Sequence, residues 1–97
     1  MTVLFTDESS FEIAKPYRLQ WEQAQRSYVL LYPEGMIQLN QTAGLILDRC
    51  CQGQKTIGQT IVELAQEFGE PDHQEIGQDV YEFLKAAYGN QWIKERQ

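Results

Sequence analysis

The spacing of apolar residues changes once along this chain, at Asn40, and that change constrains the fold more than any other feature. Before it the period is two. Tyr17-Arg18-Leu19-Gln20-Trp21 alternates apolar and polar side chains, the pattern of a half-buried strand. After a polar connection at Glu22-Gln23-Ala24-Gln25, residues Arg26 to Tyr32 form a second run rich in Tyr, Val and Leu. Pro33-Glu34-Gly35 predicts a turn, because Pro presets φ and Gly tolerates positive φ. Met36 to Leu39 is then a third strand, too short to bury much by itself.

After Asn40 the spacing becomes three and four. Asn40 or Thr42 can cap a helix that carries Ala43, Ile46, Leu47 and Cys50 on one face and ends at Gly53. Thr56 is the next cap, followed by Ile57, Ile61, Leu64, Ala65 and Phe68, with Gly69 and Pro71 ending the helix. Asp72 can cap a third helix with Ile76, Val80, Phe83, Leu84 and Ala87 on its inner face, closed by Gly89-Asn90. Gln91-Trp92-Ile93 is a short apolar tail that can pack back.

The order βββααα predicts an α+β, winged-helix-like domain: a three-stranded antiparallel sheet followed by three helices. The helix pair joined by Gln52-Gly53-Gln54-Lys55 resembles a helix-turn-helix. With 97 residues there is room for one core. We assign residues 1–14, which mix acids, Ser and Thr with Phe5, Phe11 and Ile13, to a flexible N-terminal arm whose aromatics can dock. Residues 15–95 form the domain.

Charge narrows the partners. The net charge is −6, from 14 acidic and 8 basic side chains, and the basic residues form no run. Phosphate binding needs clustered Lys and Arg, so neither nucleic acid nor an anionic membrane is expected as a partner. Acids crowd the C-terminal third, where Glu63, Glu67, Glu70, Asp72, Glu75, Asp79 and Glu82 read as a solvated helix surface. No apolar run approaches the roughly 20 residues of a membrane span. The start MTVLFTDESSFE lacks a basic region followed by an apolar core, so no secretory signal is expected. Cys50 and Cys51 are adjacent, and bridging neighbours on a helix would distort it. Together these features fit a reduced, cytoplasmic protein.

Catalytic chemistry is hard to find. His73 falls between two predicted helices, with no carboxylate to orient it and no nucleophile at an informative spacing. The cysteines lack a second Cys or His pair, so no metal site is expected within one chain. Gly44, Gly53 and Gly58 do not make a phosphate cradle, and no cofactor is expected. Gly44 stands inside a helical pattern at a propensity cost of up to about 1 kcal/mol relative to Ala. It is either a point of close packing or a tolerated defect. A three-stranded sheet, however, has two edges, and an edge is a template for another strand. If the third strand is an edge, an extended peptide can add there, in a groove beside the third helix.

The segment Tyr28 to Asn40, YVLLYPEGMIQLN, closely resembles the corresponding stretch of pyrroloquinoline quinone biosynthesis protein D, the PqqD family. The resemblance continues through Thr42-Ala43, Ile46-Leu47, Gly53, Ile57, Ile61-Val62 and Leu64 to Asp79-Val80-Tyr81-Glu82-Phe83-Leu84. Upstream, Pro16-Tyr17-Arg18-Leu19-Gln20-Trp21 fits as well. It implies a non-enzymatic peptide chaperone, a RiPP recognition element of the kind that serves pathways for modified ribosomal peptides. The implied partners are the PqqA precursor peptide and the radical S-adenosylmethionine enzyme PqqE, which cross-links a Glu and a Tyr of the peptide. The implied site has the peptide adding as a strand along Met36, Ile37, Gln38 and Leu39. The opposite wall is Asp79, Val80, Phe83, Leu84 and Ala87. Many members carry Arg where this chain has Gly35, so no contact of that arginine carries over.

Two rivals follow from the bare layout. A winged-helix DNA-binding protein would need a basic recognition helix, yet Ile57 to Phe68 contains no Lys or Arg. A dimerisation module would pair the free sheet edge with its own copy, giving a homodimer.

Overall fold

A computed structural model describes residues 5–69 and 73–96. Its elements run β1 (Phe11–Ile13), β2 (Arg18–Glu22), β3 (Ser27–Tyr32), β4 (Gly35–Gln38), α1 (Gln41–Leu47), a π-helical turn (Asp48–Gln52), α2 (Ile57–Glu67), α3 (His73–Gly89) and β5 (Ile93–Glu95). The expected α+β architecture is present: β2, β3 and β4 form an antiparallel three-stranded sheet in that order, and three helices follow it.

Each boundary has a local cause. Pro33-Glu34 makes a two-residue connection, because Tyr32 pairs directly with Gly35. Of the two cap candidates Asn40 is the one used, its Oδ1 accepting the Ala43 N–H at 2.8 Å. Thr56 and Gln59 form a reciprocal capping box at the start of α2, at 3.1 and 3.0 Å. Gly69, at φ +68°, takes the left-handed conformation that closes α2. The last turn of the first helix widens to a π-helix, where the Gly53 N–H reaches back to the Asp48 carbonyl at 2.7 Å. The expected Asp72 cap and Pro71 lie outside the described residues.

One core joins the sheet to the helices. Leu19, Leu30 and Leu39 meet Ile46, Leu47, Ile57, Leu64, Val80 and Leu84 in a single buried cluster. Gly44 lies against the Tyr28 ring so closely that a Cβ there would stand 2.8 Å from Cδ2 and 2.9 Å from Cβ of Tyr28. Its place in the helix is therefore a matter of close packing. Phe68, expected on the inner face of α2, is the helix's C-cap and is instead 42% exposed.

The N-terminus is the main departure from expectation. Residues 11–13 belong to the body of the fold. β1 pairs antiparallel with β5, Phe11 opposite Glu95 and Ile13 opposite Ile93, and Phe11 is completely buried. The apolar tail does pack back, as this second strand. Upstream, the Ile57 and Gly58 N–H groups donate to the carbonyls of Ser9 and Asp7 at 3.0 and 2.9 Å. The segment thus supplies acceptors to amides that the start of α2 leaves unpaired. Period-2 reading could not detect a three-residue strand whose partner lies some eighty residues away.

Candidate peptide-binding site

The expected strand wall, Met36 to Leu39, lies along the outer edge of the sheet at β4. The Leu39 N–H donates to the Tyr28 carbonyl at 3.1 Å. In an antiparallel ladder the directly bonded pairs recur at every second residue. With Leu30 opposite Ile37 and Tyr32 opposite Gly35, the bonded positions on this strand are Leu39, Ile37 and Gly35. The N–H and C=O groups of Met36 and Gln38 therefore point away from β3, off the edge of the sheet. Side chains alternate in the same way. Ile37 is half-buried and Leu39 buried against the core, while Met36 is 46% exposed and Gln38 is exposed.

The helix wall is more deeply buried than its sequence spacing suggests. Val80, Leu84 and Ala87 are inaccessible to solvent and belong to the central core. Phe83 is half-buried on the edge of that core, and Asp79 is exposed. Of the nine expected residues, the structure gathers Leu39, Val80, Leu84 and Ala87 into one core cluster, with Ile37 and Phe83 packed on it. A ligand approaching the closed molecule can reach Met36, Gln38 and Asp79, and parts of Ile37 and Phe83.

Asp79 and Val80 also line a cavity of about 230 Å3, with Thr42, Leu64, Phe68, Glu75 and Ile76. Its walls come from α1, α2 and α3 and include no β4 residue. Of its lining, only Asp79 and Val80 are among the expected site residues. Its signal in the sequence was Glu75 and Asp79, four apart, running beside Ile76 and Val80, also four apart: two adjacent rows of one helix.

The charge pattern leaves α2 without a free cation to offer a phosphate. Arg49, on the π-helical turn, pairs with Glu63 at 3.1 Å and with Glu67, and Lys55 pairs with Glu63. The bond from Lys55 holds the Glu63 carboxyl below its ordinary range, and the bond from Arg49 does the same for Glu67. Both cysteines are free and buried, the Cys50 thiol 3.1 Å from the Thr60 hydroxyl. Burial raises the Cys51 thiol to about 12. His73 is exposed, as the first residue of α3. Among the described residues no group of three His, Cys, Asp or Glu side chains could hold a metal ion, and no helix is long and apolar enough to cross a membrane.

This fold is found in a solved structure. The PqqD portion of Methylobacterium extorquens PqqCD, described as a functional, stand-alone RiPP recognition element, superposes with a TM-score of 0.73 over 94% of this chain and 95% of that one, at 22% identity. Sequence relatives are nearer. A PqqA binding protein of Acinetobacter baylyi is 51% identical over 79% of this chain and 75% of its own length. A PqqA binding protein of Methylococcus capsulatus is 42% identical over 91% and 90%. The family model for coenzyme PQQ synthesis protein D matches residues 27–93, the stretch that carries β3, the β4 edge and all three helices. With the sheet, the helices and the sequence in agreement, this chain belongs to the PqqD family.

Proposed function

We propose that this protein binds the PqqA precursor peptide by strand addition along β4 and presents it to the radical SAM enzyme PqqE, contributing no chemistry of its own. The observation that carries this reading is the outer edge of β4, where the main-chain groups of Met36 and Gln38 point off the sheet beside the partly accessible Ile37, which packs on the same core as the half-buried Phe83. Strand addition takes its affinity from such main-chain groups and its specificity from flanking pockets. Relatives named for binding PqqA support the choice of peptide. The contact set is Met36, Ile37, Gln38 and Leu39 on the strand and Asp79 and Phe83 on the helix, over the floor of Val80, Leu84 and Ala87. Met36 and Phe83 are adaptable surfaces for a peptide's side chains. Ordering of the leader on binding keeps affinity moderate, and the protein serves PqqE by raising the local concentration of peptide. The two free thiols suit work in a reducing cytoplasm.

The test is an NMR titration of labelled protein with the PqqA peptide, repeated on Gln38→Pro. Proline at Gln38 removes an N–H that points off the edge while keeping every bond to β3. Strand addition predicts shifts at residues 36–39 and around Asp79 and Phe83, and loss of binding in the folded variant. Shifts confined to another face would overturn this site. Concentration-dependent sizing separates the rival in which the β4 edge pairs with its own copy. Stimulation of PqqE cross-linking by wild type and not by Gln38→Pro tests presentation.

A further inference from the structure

The cavity between α1, α2 and α3 has a composition that the strand-addition site does not use. Its floor is apolar: Leu64 and Val80 are fully buried, Ile76 nearly so, and the partly exposed Phe68 ring stands at its side. Its rim carries two carboxylates, Glu75 and Asp79, one helical turn apart on α3 and both exposed. Among the described residues neither takes part in an ion pair, whereas the carboxylates of Glu63 and Glu67 on α2 are each paired with a cation. At about 230 Å3 the space is smaller than the roughly 300–1,000 Å3 of sites for drug-sized molecules. It suits one side chain.

We infer that this cavity is a subsite for a lysine or arginine side chain of the bound peptide. Such side chains have an apolar stem and a charged tip, and they lay the stem on apolar surface while the tip seeks water or a partner. Here the stem lies over Ile76 and beside Phe68, above the buried Leu64 and Val80. The tip meets Glu75 and Asp79, with the Phe68 ring available to the cation. A purely apolar side chain would fill the floor and leave both carboxylates unanswered. The subsite shares the exposed Asp79 with the proposed contact set, so one ligand can occupy both. It would select, among extended apolar peptides, those carrying a cation at one position.

This inference rests on the peptide-binding reading, and the experiment separates the two. Affinity for the PqqA peptide is measured by calorimetry at low and high salt, for wild type and for Glu75→Gln/Asp79→Asn. These exposed, nearly isosteric changes leave the fold intact, which thermal melts check. The peptide is then used with each Lys and Arg replaced singly by Gln. The expected result is a five- to tenfold loss in the protein variant and a shallower salt dependence. One peptide replacement should give the same loss in wild type and no further loss in the variant. Equal affinity and salt dependence in the variant, with wild type binding well, overturns the cation subsite and leaves peptide binding standing. A loss coupled to no single Lys or Arg also overturns it. Failure of wild type to bind the peptide overturns both.

Discussion

Gly44 shows how much one hydrogen atom can matter. Replacing a helical glycine by alanine ordinarily gains up to about 1 kcal/mol. Here the new methyl would meet the Tyr28 ring and its Cβ inside normal contact distance. The Cβ is fixed to β3 and cannot swing away. Overpacking of this kind costs about 1–3 kcal/mol, so the clash wins. Gly44→Ala should lower the unfolding free energy by about 1–2 kcal/mol in urea titrations, and a stabilised variant would contradict the packing. The cysteines give a second test at this scale. Burial raises both thiols, Cys51 to about 12. At pH 8 the folded protein should resist a thiol reagent, and both sulfurs should react once guanidinium unfolds it.

Between elements, the π-helical turn and α2 are tied by Arg49, Lys55, Glu63 and Glu67. Arg49→Gln should cost about 0.2–1 kcal/mol near neutral pH, the range for exposed ion pairs. The sign of the pH dependence follows from the lowered carboxyls. Glu63 and Glu67 bind protons less readily folded than unfolded, so their contribution is whole above the ordinary value of 4.5 and is lost as pH falls through the lower native values. The gap between wild type and Arg49→Gln should close in acid and shrink in molar salt. A gap independent of both would mean that the arginine acts by packing its stem. The same pairs bear on the charge of α2. It has no cation of its own, and the neighbouring Arg49 and Lys55 are already engaged.

Across the whole molecule, the N-terminal segment closes the fold. Phe11 is fully buried, Phe5 stacks edge-on against it at 4.9 Å and against Tyr88 at 5.5 Å, and the Tyr81 hydroxyl donates to Asp7 at 2.6 Å. Phe11→Ala should cost about 3–5 kcal/mol, a large share of the 5–15 kcal/mol typical of one domain. A nearly neutral result by thermal or chemical denaturation would return these residues to the status of a loose arm.

What the sequence determined by itself was whatever depends on near neighbours. The change of period at Asn40, the Pro33-Glu34 turn and the caps at Asn40 and Thr56 are contacts within four residues, and they were legible. So was the β4 edge, because a three-stranded meander must leave one. Tertiary structure alone decided the rest. It paired β1 with β5 across the length of the chain, turned Gly44 into a contact with Tyr28, and buried Val80, Leu84 and Ala87 in the central core. It also brought Thr42, Leu64, Phe68 and Glu75 around Asp79. Periodicity says which face of a helix is apolar, but the burial of that face depends on what packs against it, and that is set by residues far away in the chain.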